Sequence, residues 1–182
     1  MQQPTPLTAP ATGRSCGSCT MCCKVMGITE LQKPVGKWCA HCDIGVGCRI
    51  YGTRPSECRT FNCLWLVDAR FGDHWKPDKS KIVLTAGNDG NSIEIRCDPG
   101  SPTSWRNKQY HEEIRSIAAA GAWSDGSVYV IVGTQLTLVT ADNEFPLGIV
   151  SSDQRIIKEM EGNRVVGVRI VDVEEAAAIM KR

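Results

Sequence analysis

Nine of the ten cysteines in this 182-residue chain fall between Cys16 and Cys63, a 48-residue window followed by 119 residues that contain only Cys97. A segment this short, with few large apolar residues, cannot close a core by hydrophobic burial alone and calls for cross-links or metal ions. Adjacent Cys22 and Cys23 suit disulfides poorly, because neighbouring side chains diverge and each would need its own partner at bonding distance. Residues 1–13 (MQQPTPLTAPATG) have neither the basic start nor the apolar run of a signal peptide, and read as a disordered tail. The expectation is therefore a cytoplasmic protein whose reduced thiols bind metal.

Spacing sharpens that expectation. Cys16-Gly17-Ser18-Cys19 overlaps Cys19-Thr20-Met21-Cys22, and Cys23 follows directly. Two cysteines separated by two residues form a tight turn whose backbone amides can hydrogen-bond the sulfurs, as zinc and iron–sulfur sites use. Cys39-Ala40-His41-Cys42 repeats the spacing, with His41 as a further candidate ligand, and Gly45 and Gly47 mark a loop that returns Cys48. Pro55 suits a first helical turn and places Cys58 early in a helix. Cys58 and Cys63 would point about 140° apart on a straight helix. They share one metal only if that helix breaks between them, and otherwise serve two sites. Phe61, Trp65 and Leu66 are expected to pack against the metal core. Nine thiols exceed the four positions of one tetrahedral site and suffice for two. The candidate ligands are Cys16, Cys19, Cys22, Cys23, Cys39, Cys42, Cys48, Cys58 and Cys63, with zinc favoured over an iron–sulfur cluster. Cys97 reads as a buried structural thiol.

Residues 14–70 form this cysteine-rich region, 71–80 (FGDHWKPDKS) read as a linker, and 81–182 read as an α+β region packed on the first as one unit. Alternating apolar residues predict strands at Lys81–Ala86 and Ser92–Cys97 around an Asn88–Asn91 turn, at Ser127–Val132 and Gln135–Thr140, and at Arg155–Met160 and Arg164–Val171. A helix over 104–120 carries Trp105, Tyr110, Ile114, Ile117 and Ala118 on one stripe and stops at Gly121. A short helix from Asp172 through Met180 closes the chain. The fold class is α+β: a metal-stabilised region with short helices, then β-hairpins and one or two helices.

The motif set resembles the zinc- or iron-chelating family named for its Cys-x-x-Cys-x-x-Cys-Cys motif, the YkgJ family. The likeness rests on Cys16, Cys19, Cys22 and Cys23, then on Cys48-x-Ile50-Tyr51-x-x-Arg54-Pro55-x-x-Cys58-Arg59-x-Phe61-x-Cys63, and covers about residues 14–67. It implies eight chelating cysteines, one fewer than this window holds. A flagellin lysine methylase with a related cysteine arrangement, which binds an iron–sulfur cluster, is the nearest enzymatic precedent.

The charge of 21 basic against 20 acidic side chains gives no case for nucleic acid or an anionic membrane as partner. No apolar run reaches the length of a membrane span. Residues 1–80 carry ten basic and six acidic side chains, a net +4, which offsets thiolate charge; residues 81–182 carry eleven and fourteen, a net −3. Phosphate-loop and nucleophile-elbow motifs are absent. His74 and His111 read as solvated, and Arg106, Lys108 and Arg115 as a helix surface. Three functions follow: a metal-stabilised module that binds a protein partner, an iron–sulfur protein with redox or methyl-transfer activity, and a metal chaperone or store. The absence of a catalytic signature leans against an enzyme.

Overall fold

The computed structural model describes residues 9–87, 92–120 and 127–179. Short elements build the cysteine region: α1 (Met21–Val25), a two-residue hairpin of β1 (Cys42–Asp43) and β2 (Gly47–Cys48), α2 (Ser56–Thr60), α3 (Leu64–Val67) and α4 (Pro77–Ser80). None is long enough to stand alone. Side chains tie them together. Glu30 accepts from the Ser56 hydroxyl at 2.5 Å, and Glu57 accepts from the Thr29 N–H at 2.7 Å. Arg14 donates to the carbonyls of Trp65, of Asp68 at 2.9 Å and of Phe71 at 2.5 Å.

A five-stranded sheet follows, in the order β3 (Ile82–Ala86), β4 (Ile93–Cys97), β5 (Val128–Val132), β6 (Gln135–Val139), β7 (Glu144–Gly148). All neighbours are antiparallel except β4 and β5, which run parallel. A parallel pair needs a crossover, and α5 (Lys108–Ala119) supplies it. Its Ile114 is fully buried, with Tyr110, Ile117 and Ala118 packed beside it, but the expected helix over 104–120 is broken: Trp105 sits in a separate 3-10 turn, Ser104–Arg106, and α5 starts only at Lys108, capped by the Asn107 side chain. A separate antiparallel ribbon, β8 (Gln154–Glu161) with β9 (Arg164–Asp172), leads into α6 (Val173–Ile179). The expected Asn88–Asn91 turn, the Gly121 stop and Met180 lie outside the described residues.

The two halves share one strand. Ile82 and Leu84 of β3 enter the main core with Leu64, Trp65, Leu66 and Trp75, while Val83 points the other way onto Met21 and Val25 of α1. Lys24 of α1 reaches Asp98, just past β4, at 2.6 Å. Residues 71–80 are not an open linker: Phe71 and Trp75 are buried, and Trp75 Nε1 donates to Glu113 of α5 at 2.5 Å. Of the expected tail, residues 1–8 lie outside the description, and Ala11 N–H donates to the Leu66 carbonyl at 2.8 Å.

Candidate functional site

Two of the three Cys-x-x-Cys spacings close a turn through a hydrogen bond between their cysteines. The Cys19 N–H donates to the Cys16 carbonyl at 2.9 Å, and the Cys42 N–H to the Cys39 carbonyl at 3.0 Å. Gly17 takes φ +53° inside the first turn, a conformation that costs glycine little. The second turn is bound to α1, since the Cys39 N–H donates to the Cys23 carbonyl at 2.9 Å. Pairing of β1 with β2 sets Cys42 opposite Cys48. The helix carrying Cys58 does break: α2 ends at Thr60, Phe61 is extended, and Cys63 caps the start of α3.

The fold sorts the nine thiols into two neighbourhoods. In the first, burial pushes the Cys63 thiol up to about 11, and the charges of Cys16 and Cys19 add to it against backbone N–H bonds from Leu66 and Cys63 itself. Cys19 is raised by burial and by the charges of Asp78 and Cys16, against N–H donors from Met21 and Asp78. In the second, Cys23 is pushed up by its hydrogen bond with Cys22, by burial and by the charge of Cys22, while a bond from Cys42 opposes. Burial and then Cys23 raise Cys42 to about 11, with Cys39 adding. Cys58 is raised by burial, then by Cys23, Cys39 and Cys48. Cys58 and Cys63 thus part company despite the broken helix: Cys58 joins Cys22, Cys23, Cys39, Cys42 and Cys48, and Cys63 joins Cys16 and Cys19.

Lys33 stands beside the larger group. It is buried, and its Nζ donates to the carbonyls of Lys24 and Pro34, each at 3.1 Å, and of Met26. Burial lowers its pKa, while Cys39, Cys23, Cys22 and Cys58 pull the other way. A cation held there by backbone oxygens offsets charge on clustered thiolates. His41 gives its backbone carbonyl to the Arg49 N–H at 2.9 Å, with no side-chain hydrogen bond among the described residues.

All ten cysteines are free thiols. Among the described residues no three His, Cys, Asp or Glu side chains are arranged as ligands of one metal ion. The donor chemistry fits soft metals, for which thiolate is the preferred ligand, and the buried Asp78 Oδ1, beside Cys19, has no hydrogen-bond partner. Cys97 is buried in the main core, against which Cys63 also packs. Phe61 packs beside Cys19 and Cys63, whereas Trp65 and Leu66 belong to the main core.

Two histidines expected to be solvated are engaged. His74 Nε2 lies 2.8 Å from Glu113 and its ring stacks on Tyr110, and His111 Nε2 lies 2.7 Å from Glu144. Their carboxylate partners lie more than thirty residues away, so spacing gives no sign of them. Arg14 and Lys33 also escape a reading by spacing, because each acts through backbone carbonyls, those of Arg14 more than fifty residues away. Among the described residues no helix is long and apolar enough to cross a membrane. No protein-family model, curated protein or solved structure matches the chain.

Proposed function

We propose that this chain is a cytoplasmic metal-chelating protein of the Cys-x-x-Cys-x-x-Cys-Cys type, whose thiolates hold zinc, or alternatively an iron–sulfur cluster, and so stabilise a module that binds a protein partner. The observation that carries this reading is the gathering of free thiols from segments far apart in sequence: the Cys39 N–H donates to the Cys23 carbonyl, Cys42 lies opposite Cys48, and Cys19 and Cys63 pack on one cluster. Thiols that served only as small core residues would have no reason to crowd one another, since neighbouring thiolates repel and that repulsion is a cost. A divalent metal reverses that cost, because it binds the thiolate and releases the proton. Binding would also draw the sulfurs inward from their present positions, by rotation between staggered side-chain rotamers.

When bound, a structural zinc supplies folding free energy, roughly 10–16 kcal/mol in peptide models. The chain's own part is to gather the donors and to neutralise them. Backbone N–H groups of Met21 and Leu66 point at the Cys19 and Cys63 sulfurs, and Lys33 offers its charge to the larger group.

The test is elemental analysis for zinc and iron, with acid-labile sulfide and a visible spectrum, on chain purified without oxygen. Zinc near two per chain with no sulfide supports the structural module. Iron with matching sulfide and a brown colour supports the iron–sulfur alternative, and more than two rapidly exchanging metals per chain supports storage. Fewer than one metal per chain, unchanged after incubation with zinc, overturns the chelation reading.

A further inference from the structure

Cys42 and Cys48 stand directly opposite each other in the β1–β2 hairpin, with Asp43 opposite Gly47 one step nearer the loop. The backbone hydrogen bonds decide which kind of pair they are. One step farther from the loop, the Arg49 N–H donates to the His41 carbonyl at 2.9 Å, while the Cys42 N–H turns away from β2 to the Cys39 carbonyl at 3.0 Å. Cys42 and Cys48 are therefore a non-hydrogen-bonded antiparallel pair, a class whose facing Cα atoms stand about 4.5 Å apart with both side chains on one face. A disulfide takes Cα atoms roughly 4.4–6.8 Å apart, so the backbone already stands within bonding range. Both flanks of the pair are fixed. Arg49 Nη2 donates to the Ala40 carbonyl at 2.6 Å, the Val46 N–H closes the loop onto the Asp43 carbonyl at 3.0 Å, and the Gly45 N–H donates to Thr20 Oγ1 at 3.2 Å. Among the described residues no other two cysteines face each other across a strand pair.

We propose that Cys42 and Cys48 form a reversible disulfide, closed by exchange with a low-molecular-weight disulfide. The loop between the strands projects into solvent, with Ile44 59% and Val46 68% exposed, which leaves the hairpin open to such a reagent. Cys42 is buried and Cys48 half-buried, so Cys48 meets the reagent first. Its thiolate attacks the small disulfide, giving a mixed disulfide at Cys48 and releasing one small thiol; Cys42 then attacks the Cys48 sulfur and releases the second. One S–S bond breaks in the reagent and one forms in the chain. The two protein thiols are oxidised, and the reagent takes their two electrons and two protons as it becomes two thiols. Disulfides that close and reopen are the kind a reducing compartment allows. A sulfur tied in a disulfide is no longer a thiolate ligand. On the chelation reading above, metal and oxidation therefore compete for these two positions, and bound metal shields the pair.

The test is disulfide mapping on the full chain, as purified under argon and after removal of metal by a chelator. Each preparation is treated with oxidised glutathione, quenched with an alkylating agent and digested. Trypsin cuts after Lys37 and Arg49 and an aspartate-directed protease cuts before Asp43, so peptides 38–42 and 43–49 separate Cys48 from Cys39 and Cys42. The expected product is 38–42 joined to 43–49, formed in wild type and in Cys39→Ser, absent in Cys42→Ser, and reversed by dithiothreitol. Circular dichroism checks that each variant is folded. The link should form about tenfold faster in the folded chain than in guanidinium chloride, where the strand register is lost. A disulfide within 38–42, a glutathione adduct that persists at Cys48, or equal rates with and without denaturant overturns the proposal. Zinc added before the oxidant should slow the link about tenfold. An unchanged rate in zinc removes Cys42 and Cys48 from the chelation reading while the disulfide stands, whereas a chain that binds zinc but joins Cys39 to Cys42 keeps that reading and refutes the disulfide.

Discussion

Arg14→Ala removes the contact that holds the start of the cysteine region against α3. The guanidinium donates to three carbonyls at and beyond the end of that helix, those of Trp65, Asp68 and Phe71, and lies 5.2 Å from the centroid of the Trp65 ring. A helix this short cannot satisfy its own last carbonyls, so the arginine acts as a cap supplied from fifty residues away. Hydrogen bonds to a charged donor contribute roughly 1.5–3 kcal/mol each, or about 5–9 kcal/mol for three. Arg14 is half-buried, and water replaces part of that, which leaves an expected loss of about 2–4 kcal/mol. For a domain of this size that corresponds to a fall in Tm of about 4–16 °C. Arg14→Lys keeps the charge but not the planar fork and should fall between wild type and alanine. The assay is thermal unfolding followed by circular dichroism, with zinc content measured on the same samples. Cys16 lies two residues on, so the alanine variant should also lose metal from the smaller thiol group first. A Tm within about 1 °C of wild type would refute the reasoning, because it would mean that water serves the three carbonyls equally well.

Three further outcomes are expected. Trp75→Ala, at a fully buried residue that also donates to Glu113, should cost about 3–5 kcal/mol, and Trp75→Phe less, as read by denaturant unfolding. Glu144→Gln should destabilise the chain by about 1–2 kcal/mol at neutral pH: burial opposes the Glu144 charge, but His111 at 2.7 Å and Arg106 at 2.8 Å outweigh it and hold its pKa below the usual value. That stability is fully present above the unfolded-state pKa of about 4.3 and is lost as pH falls through the lower folded value, so unfolding curves of variant and wild type should converge in acid. Lys33→Met should weaken metal binding by the six-thiol group, read by competition with a chromophoric chelator, while the three-thiol group keeps its affinity.

Strands with clear alternation were legible in the sequence because one face of each is buried: Ile93, Ile95 and Cys97 point into the core while Glu94 and Arg96 pair at 2.6 Å on the other face. Strand β7 escaped notice because Pro146 and Gly148 weaken a strand signal. At the edge of the sheet, where Pro146 has no second neighbour to serve, they are tolerated. The parallel pairing of β4 with β5 depends on where α5 packs, which no local pattern encodes. Spacing marked the thiols as a set but could not divide them. Part of the arrangement follows from the extended stretch at Phe61, which ends α2 before Cys63 so that Cys63 packs with Cys19, and from the β1–β2 pairing that brings Cys48 back to Cys42.

The shared strand makes one more consequence testable. Val83, fully buried, faces Met21 and Val25, while Ile82 and Leu84 on either side face the main core. Cys63 packs against both clusters, so a metal held there, as proposed, would bear on side chains of the sheet. Metal held by Cys16, Cys19 and Cys63 would therefore stabilise the whole chain and not the cysteine region alone. Binding to the folded state alone contributes about 4.1 kcal/mol when free metal stands at a thousand times Kd. Spread over a single cooperative unit, that raises Tm by about 8–16 °C. Calorimetry of the zinc-loaded chain should give one transition, and a strong chelator should move that transition down without splitting it. If the chelated chain instead melts in two steps, with the second at the temperature of the loaded chain, the sheet folds independently of the thiols and β3 does not couple them.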